Sequence, residues 1–308
     1  MSKLDRIEEL QNILREDKTN FQARREFAVL LLDCNFSEDA LKQFLYLSKI
    51  FPKDSSIFYN LGITYEKLKD LPNAEIAYQK AIKLAPQEVD ALYNLGLVYS
   101  DMKKYNEAID CFEQVLSADN NDSNTYFSIG LCYFKQKKFE GAKYYFERAL
   151  ELNPEDIYAH FYLGNILKEI GDIEGARIEF QTVLDISPDY SWAYYNLGVI
   201  DYEEGETNSA IINLQKTLEF NPKDVEAYKI YAKILAKNKD YESANSLLIS
   251  AIEKLPEEGD LYYIMAQIQK LNGSNEGYVQ YLNEALKYSS TLSISAKQIK
   301  KELENYLT

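Results

Sequence analysis

Residues 59–86 of the chain read YNLGITYEKLKDLPNAEIAYQKAIKLAP. In the first half of this segment, Leu61 and Tyr65 lie four residues apart, on one face of a helix. In the second half, Ala74 and Tyr78 have the same spacing. A proline closes the segment, where its missing N–H and fixed φ end a helix. The segment therefore predicts two amphipathic helices joined by a turn.

The same pattern returns every 34 residues along the chain. A glycine row and an unbroken alanine row share this step with six of the seven prolines. The rows are Pro52, Pro86, Pro154, Pro188, Pro222 and Pro256; Gly62, Gly96, Gly130, Gly164 and Gly198; and Ala40, Ala74, Ala108, Ala142, Ala176, Ala210 and Ala244. Small residues in register predict a close approach of the two helices in each pair. One pair cannot bury its apolar faces alone, so the pairs are expected to stack.

The ends of the helices are also marked in the sequence. The residues before several first helices are aspartates, which cap helix N-termini: Asp54, Asp122, Asp156 and Asp224. The turn inside each pair holds glycine in three repeats (Gly171, Gly205 and Gly273) and Asn35 or a lysine in the others. We expect this position to adopt the left-handed conformation that ends a helix.

Composition excludes several classes of function. The chain has 308 residues and a formal net charge of −15, with one histidine and three cysteines. These residues cannot supply most zinc ligand sets, so neither a metal nor another cofactor is expected. The negative charge opposes nucleic-acid binding, and no apolar run is long enough to span a membrane. The charged N-terminus lacks a signal peptide, which predicts a cytoplasmic protein whose Cys34, Cys111 and Cys132 are free, buried thiols.

The Leu-Gly-x-x-Tyr, alanine, bulky residue, alanine and proline positions of residues 59–86 resemble the tetratricopeptide repeat (TPR). Eight repeats can be placed, at 21–54, 55–88, 89–122, 123–156, 157–190, 191–224, 225–258 and 259–292. Residues 1–20 and 293–308 would be capping helices. Length alone suggests about two domains, whereas the resemblance implies one all-α, right-handed superhelical solenoid of antiparallel helix pairs.

In this family the first helix of each pair lines the concave face, so the resemblance implies partner-binding residues there. One column of that face is aromatic: Tyr59, Tyr93, Phe127, Phe161 and Tyr195. Tyr158 and Trp192 precede the column by three residues, and Asn165 follows it by four. The alternative is that these side chains fill the space between adjacent first helices.

An asparagine row lies beside the aromatic column, at Asn60, Asn94 and Asn196. An asparagine amide can donate to and accept from a peptide backbone, and some family members hold extended peptides in this way. The alternative is that each asparagine bonds a neighbouring helix. The family's carboxylate clamp for chaperone C-termini is not expected, because Asp90 and Asn94 replace two of the cations that it needs.

Together these features predict a non-enzymatic scaffold or adaptor that binds a peptide segment of a partner protein. No catalytic residues are expected, because the sequence has neither a phosphate loop nor a nucleophile motif. One alternative is an assembly subunit that associates, with itself or others, through the convex face or the ends. Another is a regulatory subunit associated with an enzyme.

Two residues depart from the repeat pattern. Asp201 stands in a row of core residues such as Tyr65, Tyr99 and Leu167. Because burying an unpaired carboxylate is costly, we expect a shifted helix that places Tyr202 in the core. The alternative is an acidic patch for a basic partner. His160 replaces an aromatic residue and is expected to be a packing residue.

Overall fold

The computed structural model describes residues 2–307, and the side chains of residues 2–306. Eighteen α-helices and no β-strand occur in that part of the chain, which confirms the all-α class. The helices are α1 (Lys3–Glu16), α2 (Phe21–Asp33), α3 (Ser37–Ile50), α4 (Ser55–Lys67), α5 (Leu71–Leu84), α6 (Val89–Asp101), α7 (Tyr105–Ala118), α8 (Ser123–Lys135), α9 (Phe139–Leu152), α10 (Ile157–Glu169), α11 (Ile173–Ile186), α12 (Ser191–Glu204), α13 (Thr207–Phe220), α14 (Val225–Lys237), α15 (Tyr241–Lys254), α16 (Gly259–Leu271), α17 (Asn275–Lys287) and α18 (Ala296–Leu307).

The helices form pairs that follow the 34-residue period. Each expected repeat contains one pair, with an even-numbered first helix from α2 to α16 and an odd-numbered second helix from α3 to α17. Helix α1 precedes the pairs and α18 follows them, in the two segments where capping helices are predicted, and Met1 and Thr308 lie outside the described residues. Within each compact part of the chain, we call the surface formed by the even-numbered helices the first-helix face, and the surface of the odd-numbered helices the second-helix face.

The chain divides into two compact units, one up to Ala159 and one from His160, with the boundary inside α10. In unit 1, buried leucine, phenylalanine and alanine side chains of successive pairs form a core that begins at Ile7 and Leu10 of α1. In unit 2, the cores are built in the same way and include Ile299 of α18. The single continuous solenoid implied by the repeat stays a prediction.

The predicted helix ends are confirmed. The side chain of Asp54 accepts a hydrogen bond from the backbone N–H of Ser56, and Asp224 caps α14 in the same manner. All eight turn positions have φ between 57° and 86°; they are Asn35, Lys69, Lys103, Lys137, Gly171, Gly205, Lys239 and Gly273. The left-handed turn is therefore set by the repeat, and asparagine or lysine occupies it where glycine does not.

The glycine row explains how closely the helices of a pair approach. A Cβ atom on Gly96 would lie 2.6 Å from the ring of Phe112, and one on Gly164 would lie 2.8 Å from the ring of Phe180. Each of these bulky residues comes from the second helix of the same pair and is buried. The first helix must therefore carry glycine where the aromatic ring of its partner helix crosses it.

Candidate functional site

In unit 1, the predicted aromatic column lies half-buried on the first-helix face. Tyr59, Tyr93 and Phe127 each contact an aromatic core residue of the second helix in their own pair. The ring centroids of Tyr93 and Phe112 are 5.5 Å apart, and those of the other two pairs are separated by similar distances. One side of each ring therefore packs in the protein, and each ring is partly exposed.

Polar groups of this column link adjacent repeats. The side-chain amide of Asn94 donates to the hydroxyl of Tyr59 over 3.3 Å. The hydroxyl of Tyr93 lies 3.2 Å from that of Ser128, which occupies the asparagine position of the next repeat. Asn60 donates to the backbone carbonyl of Ser56, within its own helix. In unit 1, therefore, the asparagine row bonds mainly within and between first helices.

Tyr158 differs from the column beside it. It lies near the start of α10 and is 55% exposed, the same fraction as Tyr144 on the second helix α9. It leaves a large aromatic surface in contact with solvent.

In unit 2, a second group of aromatic residues lies on the first-helix face. The ring of Phe161 contacts Phe180 of the core and Tyr190, which precedes α12. Trp192 is 51% exposed and meets Tyr195 edge to face, with 6.1 Å between the ring centroids. Trp192 and Tyr195 therefore form a platform of which the tryptophan is the exposed member.

The asparagines of unit 2 are engaged within the protein. Asn165 donates to the carbonyl of Phe161 over 2.8 Å. Asn196 is buried, donates to the carbonyl of Trp192 and accepts a hydrogen bond from the Lys168 ammonium at 2.6 Å. Burial lowers the pKa of Lys168. Both polar atoms of Asn196 thus have partners in the protein, and the amide supports the helix that carries Trp192.

The expected shift of the helix at Asp201 is wrong. Asp201 stays buried in the core row, while Tyr202 is only half-buried. The carboxylate is paired with the Arg177 guanidinium at 2.6 Å, and it accepts a hydrogen bond from Asn213 at 2.7 Å. Because its partners satisfy it, the carboxylate can remain buried without a change in helix register.

The repeat spacing itself points to Arg177 as the partner of Asp201. Arg177 and Asp201 are 24 residues apart, and the equivalent pair of unit 1 is Glu75 and Tyr99. The Tyr99 hydroxyl donates to Glu75 over 3.2 Å. The same spacing joins Asn245 to Gln269, whose amide donates over 2.9 Å. Taken together, these two columns of the sequence therefore indicate Arg177 as the partner of Asp201.

The other single residues have bonded or buried positions. His160 is half-buried, and its Nδ1 lies 2.6 Å from the Glu179 carboxylate, so it does more than pack. Cys111 and Cys132 are buried as expected, whereas Cys34 is only half-buried. Burial raises the pKa of Cys111 to about 11.

Residues 2–307 show neither a cluster of metal ligands nor a helix suited to a membrane. Within them, no group of three or more histidine, cysteine, aspartate or glutamate side chains is placed to hold a metal ion. None of the helices there has the length and apolar character that crossing a membrane requires.

The sequence and the structure were both compared with known proteins. Models of the tetratricopeptide repeat match residues 53–121, 88–155 and 145–178, and a TPR repeat model matches residues 164–202. No curated protein has a significantly similar sequence.

Several solved structures are similar to this chain. One is YrrB, described as a TPR protein with an unusual peptide-binding site, at 28% identity over 60% of this chain and 95% of YrrB, with a TM-score of 0.51. MamA (41-end) from Desulfovibrio magneticus RS-1 shares 26% identity over 56% of this chain and 97% of its own, with a TM-score of 0.53. A tetratricopeptide repeat protein from Parabacteroides merdae shares the fold at 17% identity over 82% of this chain and 99% of its own, with a TM-score of 0.58.

The fold and the matches define a class of repeat proteins built for contact with other proteins. The chain belongs to the tetratricopeptide repeat family, with about eight repeats.

Proposed function

We propose that the protein is a non-enzymatic scaffold that holds a peptide segment of a partner protein on its first-helix face. The observation that carries this proposal is the exposure of Trp192 beside Tyr195 in unit 2. Tyr158 in unit 1 is also an exposed aromatic residue on a first helix. Tryptophan and tyrosine contribute most strongly to binding energy at protein interfaces, because they bury a large area at little cost in conformational entropy.

The polar contacts of the face favour anchoring by aromatic rings over anchoring by amides. The amides of Asn94 and Asn196 already have partners inside the protein. They orient the first helices. The rings of the aromatic column, by contrast, are only half-buried: Tyr59, Tyr93, Phe127, Phe161 and Tyr195. The described peptide-binding site of YrrB supports the same class of partner for this chain.

To test this proposal, a peptide is selected from a random display library on the immobilised protein. Its affinity for the protein is then measured by fluorescence anisotropy. Tyr158→Ala and Trp192→Ala are the test variants. Tyr144→Ala and Ile212→Ala are their matched controls, because these side chains are 55% and 60% exposed on second helices. We expect at least one test variant to weaken binding about tenfold or more, with both controls unchanged. Loss of binding in the controls alone would contradict the proposal.

A second candidate function is assembly through the second-helix face. Ile178 of α11 and Ile212 of α13 are both exposed, at equivalent positions of adjacent repeats in unit 2. Repeated exposed isoleucines are typical of an interaction surface. Sedimentation velocity over a range of concentrations tests this candidate, with the Ile178→Asp/Ile212→Asp variant as the comparison. A monomer at every concentration would contradict self-association.

A further inference from the structure

Unit 2 contains a groove that lies apart from the aromatic platform of Trp192. Helices α14 and α16 and the segment that leads into α18 enclose about 540 Å³. Buried Ile264 and Ile268 line it, together with the half-buried Ile294 and the exposed Leu271. The groove is therefore apolar along α16 and large enough for a bulky side chain.

The opposite wall of the groove is basic. Lys229, Lys233 and Lys237 are spaced four residues apart on α14, which places them along one face of that helix. Asp260 is the acidic residue that lines the groove with them. Three lysines against one aspartate give this groove a positive charge in a chain whose net charge is −15.

The first lysine and the aspartate neutralise each other. The Lys229 ammonium lies 2.9 Å from Asp260 and 2.7 Å from Glu226. Asp260 also accepts hydrogen bonds from the backbone N–H and the hydroxyl of Ser293. This network fixes the segment before α18 against α16, and it builds the end of the groove rather than a ligand contact.

The other two lysines have no such partner. Lys233 and Lys237 are exposed, and neither forms an ion pair with another residue in the part of the chain that the structure describes. The Lys237 ammonium lies 6.0 Å from the centre of the Tyr202 ring. The Glu302 carboxylate accepts hydrogen bonds from Gln267 and Tyr278, so it is already engaged. The charge that faces the groove is therefore available to a ligand.

We infer that this groove binds an acidic peptide segment that carries a bulky apolar side chain. The apolar side chain contacts Leu271 and the isoleucines, and carboxylates before or after it pair with Lys233 and Lys237. Salt screens charges beyond about 8 Å at physiological ionic strength, so the local lysines outweigh the acidic surface elsewhere. The inference rests on the proposed function only in placing a second peptide site on the same first-helix face.

The experiment measures anisotropy of a short synthetic peptide with blocked ends, in which glutamates flank one leucine. Lys233→Glu/Lys237→Glu is the test variant. Lys297→Glu/Lys301→Glu is the matched control, because it reverses two exposed lysines at the same spacing on α18. We expect the test variant to weaken binding by at least about tenfold and the control to leave it unchanged. A probe with serine in place of leucine is expected to bind less tightly, and Leu271→Ser is expected to reduce that difference.

Three outcomes would overturn the inference. The first is equal binding of the test and control variants. The second is that a lysine-rich probe, or an oligothymidylate of the same length, binds the wild type as tightly as the acidic probe does. Either result would mean that the groove is not specific for an acidic peptide. The third is loss of the acidic probe in Trp192→Ala, which would assign the probe to the aromatic platform. That last result would not contradict the proposed function. Conversely, if Trp192→Ala bound the library-selected peptide as tightly as the wild type, the inference about the groove would be unaffected.

Discussion

The Arg177 guanidinium of α11 lies 2.6 Å from the buried carboxylate of Asp201 in α12. This ion pair joins the second helix of one repeat to the first helix of the next. At the equivalent positions of unit 1, Glu75 and Tyr99 are joined by a hydrogen bond. A buried carboxylate is thus tolerated in the core row of the repeat where the second helix of the preceding repeat supplies a partner for it.

Removing one member of this pair should be costly. Arg177→Met leaves the Asp201 carboxylate buried with Asn213 as its remaining partner, and we expect the free energy of unfolding to fall by about 3 kcal/mol. Arg177→Met/Asp201→Leu restores the residue type of the row and should recover most of that loss. Urea denaturation followed by circular dichroism measures both. Lys216→Met, which removes an exposed pair with Glu219, should cost less than about 1 kcal/mol; an equal loss in both single variants would contradict the argument.

The sequence predicted the fold better than the site, for a physical reason. Helix pairs depend on spacing, and that spacing recurs along the chain in the small residues of the Gly96 row and the bulky residues of the Phe112 row. The use of a surface side chain depends instead on what reaches it from the next repeat. Asn196 stands in the ligand row of the sequence, yet Lys168 reaches it and it is buried. The groove that Lys233 lines is formed by three separate segments of the chain, so no single motif of the sequence predicts it.

The glycine row makes a graded prediction. A Cβ on Gly96 would lie 2.6 Å from Phe112, whereas one on Gly198 would lie 3.1 Å from Leu214. We expect Gly96→Ala to lower the free energy of unfolding by about 1–3 kcal/mol through overpacking. Gly198→Ala should be close to neutral, because the gain of about 1 kcal/mol in helix propensity offsets a milder clash.

A double variant separates the clash from the backbone effect. Phe112→Leu copies the smaller residue of the other pair, so Gly96→Ala should cost less in that background than in the wild type. Urea denaturation of the four proteins in this cycle gives the coupling. Additive losses would mean that the Phe112 ring does not set the need for glycine.

The turn lysines hold a conformation that glycine adopts more easily. Lys103 has φ of 61° between α6 and α7. The left-handed conformation costs an L-residue about 1–2 kcal/mol, whereas glycine adopts it freely but loses more conformational entropy on folding. We therefore expect Lys103→Gly to stabilise the protein by about 0.5–1 kcal/mol. The reverse change, Gly205→Lys, should destabilise it by a similar amount, since Gly205 has φ of 83°. Thermal denaturation measures both, and Lys53→Gly, outside any left-handed turn, is the control. Stabilisation by the control as well would contradict the conformational explanation.

Glu66 of α4 gives the stability a dependence on pH. Burial raises the pKa of this carboxyl and Asp101 raises it further, against the hydrogen bond from Tyr78 and the charge of Lys69. Because the pKa is higher in the folded state than in the unfolded state, the folded protein binds the proton more tightly. Ionised Glu66 therefore lowers stability above its folded pKa, and this cost disappears as the pH falls below the unfolded value of about 4.3.

Glu66→Gln tests this sign, because the amide oxygen can still accept from Tyr78 but carries no charge. The variant should be more stable than the wild type near pH 8, and the difference should shrink towards about pH 4. Urea midpoints across that range measure it. Glu113→Gln, on the exposed surface of α7, removes the same charge without touching the Tyr78 hydroxyl, and it corrects for the change in net charge. A gain in Glu66→Gln that grows as the pH falls would mean that the hydrogen bond from Tyr78, rather than burial, sets the pKa of Glu66.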